Sequence, residues 1–138
     1  VDKFDLSTAQ EWSNVYDVEI GASAQSSWDG LSNSNAIVNQ PGHTGSAAAL
    51  CLSSTNGGQT DWYLPSIDEL SLLWHARFNV NKSMSAMAGA MVLPSESVFY
   101  WSSSEYDSNY ARGFTFNDGS ANVVNKDFAD YVRAVRAF

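Results

Sequence analysis

The clearest periodicity in the chain follows Ser66-Ile67-Asp68-Glu69. This string reads as a capping box, in which Ser66 at the N-cap and Glu69 three residues on satisfy each other's backbone donors. Leu70, Leu73, Trp74 and Arg77 then recur at helical spacing, which predicts a helix over residues 67–78. The preceding Asp61-Trp62-Tyr63-Leu64-Pro65 is expected to be extended, because a residue before proline avoids the helical region. Ser46-Ala47-Ala48-Ala49-Leu50-Cys51-Leu52 is Ala-rich and predicts a second helix, ended by Asn56-Gly57-Gly58.

From Phe99 on the pattern turns to β. Strands are predicted at residues 100–104, 111–116, 120–125 and 131–138, with Asn117-Asp118-Gly119 as a hairpin turn, since Asp-Gly accepts positive φ. The first third is more broken. Residues 7–12 predict a short helix capped by Ser7 or Thr8, and residues 15–20 alternate like a strand until Gly21. Residues 22–45 are rich in Ser, Asn and Gly but carry Trp28, Leu31, Ile37 and Val38. They predict a packed loop with one helical turn at 35–39. Residues 84–93, small and Met-rich, read as a weak helix or a packed loop. Helices come first and an antiparallel meander later, so the class is α+β. There is no internal repeat and no low-complexity tract.

Length and charge narrow the function classes. The 138 residues (15.0 kDa) suit one domain with one set of cores. A single cysteine, Cys51, excludes an internal disulfide and a Cys-paired zinc site, and leaves the compartment open. A net charge of −8 and a pI near 4.4 argue against nucleic acid and anionic membrane as partners. No stretch is long and apolar enough for direct membrane insertion. No signal peptide is visible at Val1-Asp2-Lys3-Phe4-Asp5, and the lack of an initiating Met suggests a processed protein or a piece of a longer one.

Candidate chemistry is sparse. His43 and His75 have no second ligand at metal spacing, and read as packed or exposed histidines. Cys51 sits among Ala and Leu with no neighbouring cation and reads as a small core residue. There is no G-x-S-x-G elbow, no S-x-x-K, no phosphate loop and no EF-hand. Asp29, Glu105 and Asp118 could act as paired carboxylates only if the fold brought them together. The expectation is no enzyme, no cofactor and no metal.

Residues 100–131 have a different character. They hold Tyr100, Tyr106, Tyr110 and Tyr131 among many Ser, Asn and Asp. Tyr with small polar residues is the composition of binding loops, where rigid amphipathic rings meet adaptable hydrogen bonds. A polar β-surface facing water uses the same residues, so composition alone leaves both readings open.

Four strings shift that balance: Trp28-Asp29-Gly30; Asp61-Trp62-Tyr63-Leu64-Pro65-Ser66 with Glu69-Leu70; Tyr100-Trp101-Ser102-Ser103-Ser104-Glu105; and Val132-Arg133-Ala134-Val135-Arg136-Ala137-Phe138. With Phe116 and Gly119 they resemble the bacterial and phage domain family found at the C-terminus of collagen-like adhesins. More narrowly, they resemble the variable proteins of diversity-generating retroelements, over residues 28–138. The resemblance implies a C-type-lectin-type fold, with two or more helices packed on an antiparallel β meander. It implies one ligand-binding domain whose last part, about residues 100–138, is rewritten at adenines from a template.

Carried over to this sequence, the implied ligand-binding, variable positions are Tyr106, Asp107, Asn109, Tyr110, Gly113, Thr115, Asn117, Asp118, Ser120, Asn122, Val123, Val124, Asp127, Phe128 and Asp130. The implied constant positions are Tyr100, Trp101, Ser102, Ser103, Glu105, Phe116, Gly119, Val132, Arg133, Val135 and Arg136. Of these, Trp101, Phe116, Val132 and Val135 are expected in the core. Val123, Val124 and Phe128 are either core or exposed anchors of the binding surface.

The implied partner is a protein or glycan receptor on a cell surface, and the implied setting a phage virion or a bacterial surface. A fixed adhesin domain binding a glycan or matrix component is the alternative, and oligomerisation stays open. The sugar motifs of calcium lectins (Glu-Pro-Asn, Gln-Pro-Asp, Trp-Asn-Asp) are missing, so calcium-dependent sugar binding is not expected. The formylglycine-generating chemistry found on related folds needs reactive cysteines, which Cys51 alone does not supply.

Overall fold

The computed structural model describes residues 1–137. Strands β1 (Ser7–Gln10), β2 (Phe99–Glu105), β3 (Tyr110–Thr115), β4 (Ala121–Asn125) and β5 (Asp130–Val132) form one sheet in the order β1-β5-β2-β3-β4. Helices α1 (Gly30–Val38), α2 (Ala47–Leu52), α3 (Ile67–His75) and α4 (Arg77–Ser85) pack on it. The chain is α+β, and the arrangement is compatible with a C-type-lectin-type fold.

Strand β2 organises the interior. It is buried from Tyr100 through Glu105, so both of its faces are covered. Alternation sends neighbouring residues to opposite sides of the sheet. Trp101 joins a core with Trp12, Ile37, Ala48, Cys51, Leu64 and Val132. Tyr100 joins a second core with Ile67, Leu70, Leu93, Phe114 and Phe116. Trp12 and Trp101 are fully enclosed, and their indole N–H groups donate to Ser102 O (2.8 Å) and Gln10 O (2.7 Å).

The capping box of α3 is present as expected. Glu69 N–H donates to Ser66 Oγ (3.3 Å), and Ser66 N–H donates to Glu69 Oε2 (2.8 Å). The Trp28-Asp29-Gly30 string meets the same place. Asp29 caps α1 by accepting from Ser32 N–H (2.9 Å), and Gly30 lies directly against the start of α3. A Cβ on Gly30 would fall 2.7 Å from Ser66 N and 2.8 Å from Leu64 O. The two sequence strings are thus one packing joint.

Several expectations need correction. Residues 7–12 are not helical: Ser7 pairs with Val132 and Gln10 with Asp130, so a partner strand outweighs a weak local cap signal. Residues 15–20 are not a strand. Their backbone is satisfied by side chains instead, with Gln40 Nε2 donating to Val18 O (2.9 Å) and Ile20 N–H to Glu105 Oε2 (2.9 Å). The single turn expected at 35–39 is a nine-residue helix, α1. The helix expected over 67–78 breaks at Ala76 into α3 and α4, and only the first residues of 84–93 are helical.

The last strand is also shorter than expected. It ends at Val132, after which a lone bridge joins Val135 to Tyr63, and Phe138 lies outside the described residues. Nor is the sheet a pure meander, since β5 runs parallel to β2 at Tyr100↔Tyr131. Trp101, Phe116 and Val132 are buried as expected, but Val135 is only half-buried.

Candidate recognition surface

The β3–β4 hairpin carries most of the implied variable positions. Its tip is fixed to α3. Gly119 has φ +75°, and a Cβ there would fall 2.5 Å from Trp74 Cε2. Trp74 Nε1–H donates to Phe116 O (3.0 Å) from the other side of the same contact. The Asp118 carboxylate accepts from Thr115 Oγ1 (2.7 Å), Ser120 Oγ (2.8 Å) and Ser120 N–H (3.1 Å), and these bonds hold it below the usual carboxylate range.

Helix α3 covers only part of the sheet face it packs on. Ile67 and Leu70, with half-buried Leu73 and Trp74, enclose Phe114 and Phe116. Further along the same face the register sets Arg112 opposite Val123 and Tyr110 opposite Asn125, where these core residues do not reach. There the Arg112 guanidinium lies over the Tyr106 ring at 5.2 Å. Tyr106 (49%), Tyr110 (37%), Val123 (44%) and Phe128 (55%) keep large fractions of their surface open. These four large side chains lie outside either core.

Below this patch lies a buried ion pair. Lys126 Nζ donates to Glu105 Oε2 (2.9 Å) and to Ser108 O (3.0 Å), and stands 4.8 Å from the Trp12 ring centroid. Both side chains of the pair are fully enclosed. Glu105 also accepts from the N–H groups of Ile20 (2.9 Å) and Gly21 (2.8 Å). Lys126 N–H donates to Asn109 O (2.9 Å), and Asp107 Oδ1 accepts from Asn109 and Tyr110 N–H, both at 2.9 Å. This network fixes the β2–β3 turn and the start of the β4–β5 loop together.

The implied positions divide by burial. Tyr106, Asn109, Tyr110, Asn117, Asp118, Asn122, Val123, Asp127 and Phe128 are exposed, while Asp107, Ser120 and Asp130 are partly so. Gly113, Thr115 and Val124 are buried and do not reach solvent as ligand contacts would. A Cβ on Gly113 would sit 3.1 Å from Val124 Cγ2, Val124 packs in the core opposite Ala111, and the Thr115 hydroxyl belongs to the turn network. The period of two therefore splits Val124, in the core, from Val123, outside it, while Phe128 is exposed in the turn that follows β4.

The implied constant positions hold the scaffold. Arg133 Nε donates to Asp5 Oδ1 (2.6 Å) beside the Tyr100 hydroxyl, which donates to the same oxygen (3.0 Å). Arg136 makes a two-point contact with Asp61. Sequence reasoning misses Lys126. A lysine among Asn and Asp looks like ordinary surface, and its partner lies 21 residues away.

Asp130 loses water on folding, and burial pushes its carboxyl up to about 6 from the ordinary 3.8. The folded state thus holds this proton more tightly than the unfolded one. Stability from this group is complete below about pH 3.8 and is lost as pH rises through 6. Asp130→Asn is expected to raise the melting temperature at pH 7, with the gain shrinking towards pH 4. Thermal melts of both proteins across that range check it, and a pH-independent difference would refute it.

Cys51 is fully buried, and burial pushes its thiol up, as a core cysteine requires. His43 Nε2 lies 2.8 Å from Ser46 Oγ, and partial burial lowers its pKa. His75 Nδ1 lies 2.8 Å from Ser71 O. Among the described residues, no three carboxylate, imidazole or thiol groups converge as metal ligands do. A groove of about 630 Å³, lined by residues including Trp28, Tyr63, Leu72 and Val135, contains none of the implied variable positions.

No curated protein matches the chain. The family model described as Lcl C-terminal domain matches residues 4–136, which takes in both cores, the α1–α3 joint and the whole hairpin. The chain therefore belongs to the Lcl C-terminal domain family, a family of variable-protein and adhesin C-terminal domains.

Proposed function

We propose that this domain is a receptor-binding display module of a diversity-generating retroelement, presented on a phage virion or a bacterial surface. Binding is by shape, aromatic contact and hydrogen bonds, without chemical conversion. The observation that carries the reading is the half-face left open by α3, where Tyr106, Tyr110 and Val123 stand outside the cores while Phe114 and Val124, in the same two strands, are enclosed. A patch of this kind can change its side chains without disturbing the frame.

Two measurements test it. Sequencing the gene across a growing population should find substitutions denser at the exposed positions than elsewhere, and an even spread would sink the reading. In the protein, the triple variant Tyr106→Ser, Val123→Thr, Phe128→Ser should lose receptor binding. Each exposed change should alter stability by less than about 0.5 kcal/mol. Val124→Ala, one residue along, should cost roughly 2 kcal/mol, because it removes two buried methyl groups. Calorimetry separates the two cases. If the triple variant melts as badly as a core mutant, the patch is interior packing.

A fixed adhesin domain, binding one glycan or matrix component, is favoured by a different observation. Gly113, Thr115 and Val124 are buried, and free variation there would damage the hairpin. A near-copy of the coding sequence for residues 100–138 beside the gene, differing at adenines, decides between the two.

A further inference from the structure

Strand β4 is the outer strand at one margin of the sheet. Thr115 N–H donates to Ser120 O (3.0 Å) and Lys126 N–H to Asn109 O (2.9 Å). Bonded and non-bonded pairs alternate along an antiparallel ladder. Ser120, Asn122, Val124 and Lys126 therefore turn their backbone towards β3, while Ala121, Val123 and Asn125 turn theirs outward. Asn125 O accepts from Phe128 N–H (3.0 Å). Both backbone groups of Ala121 and Val123, and the Asn125 N–H, are left on the outer side, where no strand of the described residues pairs with β4. Ala121 and Val123 are exposed.

The two margins of the sheet differ. Strand β1 has four residues, and its pairing with β5 shifts register between Ser7 and Gln10. Strand β4 keeps register with β3 through all five of its residues. It holds no proline and no charge, and the lysine that follows it is enclosed. Edge strands are ordinarily blunted by lysine, proline or a bulge against pairing with another chain. Strand β4 has none of these devices, and its outward groups recur about every 6.8 Å, the two-residue repeat of a strand. Only an extended polypeptide carries the matching row of donors and acceptors.

Charge decides between a second copy and another protein. Asp118 and Asp127 bracket β4. Antiparallel pairing of two β4 strands about Val123 would bring Asp118 of one copy towards Asp127 of the other at both ends, between chains of net charge −8. Like charges oppose that pairing. A strand of another protein, without acidic residues at its ends, meets no such penalty. Val123 stands opposite Arg112 and keeps 44% of its surface open, so an apolar residue at alternate positions of the incoming strand would cover it.

We propose that the outer edge of β4 is a strand-docking site. It takes an extended segment of a receptor protein, apolar at alternate positions and free of acidic residues at its ends, as an added strand of the sheet. The inference rests on the hairpin being the recognition surface and names its mode of binding. Main-chain hydrogen bonds supply the affinity in such pairing. They survive the rewriting of Asn122 and Val123, which changes side chains only, so variants of different specificity keep one docking edge.

The test uses a blocked peptide, Ser-Thr-Val-Thr-Val-Thr-Ser, and amide hydrogen exchange in the protein. At millimolar peptide, exchange at Ala121 and Val123 should slow at least about threefold, while Asn122 and Val124, already bonded to β3, should change less. The same peptide methylated at its five central nitrogens should not bind, a comparison that leaves the protein untouched. Val123→Pro removes only an outward N–H, where an edge strand accepts proline, and should weaken peptide binding at least about tenfold. Val123→Thr keeps that N–H and should stay within about threefold of the parent. Unchanged exchange, equal binding of the methylated peptide, or equal binding by a folded Val123→Pro overturns the proposal. Any of these leaves the display reading standing, since exposed side chains alone still carry it. A dimer seen by sedimentation and lost in Val123→Pro assigns the edge to a second copy and also overturns the proposal. Slowed exchange together with an even spread of substitutions in the gene supports the docking edge and removes diversification alone.

Discussion

Gly30→Ala is expected to be among the most damaging single-methyl additions in the domain. The new Cβ would meet Glu69 Oε2, Ser66 N and Leu64 O, all closer than 3.0 Å. The glutamate could swing aside, but the two backbone atoms cannot. Moving Glu69 would also open the capping box and release the Tyr63 hydroxyl, which donates to Glu69 Oε1 (2.7 Å). Overpacking typically costs 1–3 kcal/mol, and with a cap lost as well we expect about 3 kcal/mol or more. That is a large share of the total stability of an ordinary domain, roughly 5–15 kcal/mol. Urea unfolding measures it. Gly45→Ala is the control, because nothing lies within 4 Å of the Cβ it would add. If the two variants unfold at the same midpoint, the joint between α1 and α3 is looser than described.

The second large effect belongs to Lys126. Lys126→Met keeps most of the side chain's length but leaves Glu105 as an enclosed, uncompensated carboxylate and Ser108 O without its donor. Removing one partner of a buried ion pair costs about 3–5 kcal/mol, most of it the penalty on the charge left behind. The double variant Glu105→Gln, Lys126→Met should therefore be more stable than Lys126→Met alone. The side-chain amide introduced by Glu105→Gln would still accept from the backbone N–H groups of Ile20 and Gly21, without a net charge. Denaturation midpoints of the three proteins check this ordering. Equal losses in the single and double variants would mean that the damage comes from lost packing rather than stranded charge. Hydrogen exchange at Ile20 and Gly21 should also quicken in the single variant, since the pair holds that segment in place.

How much is legible in the sequence follows from how far apart the partners lie. The capping box and the Asp-Gly hairpin are local, and both appear where the residues put them. Helix α1 is longer than its sequence suggests because its Ser and Asn residues have low helix propensity, although Asp29 at the cap is a usable signal. Strand β1 cannot be read locally: its partner is β5, more than a hundred residues on, and nothing in Ser7-Thr8-Ala9-Gln10 announces it. The exposed hairpin patch is half legible. Alternation separates Val123 from Val124 once the register with Arg112 and Ala111 is known, but that register comes only from the folded hairpin. The ion pair under the patch and the Tyr16 segment depend wholly on long-range contact, and no spacing in the sequence points to either.

The sheet order has a mechanical corollary. Strand β1 forms one margin and β4 the other, with β5, β2 and β3 between them. At about 4.8 Å per strand step, roughly 19 Å separates the two margins. Anything moored through the β1 margin leaves the β4 side pointing away from its carrier.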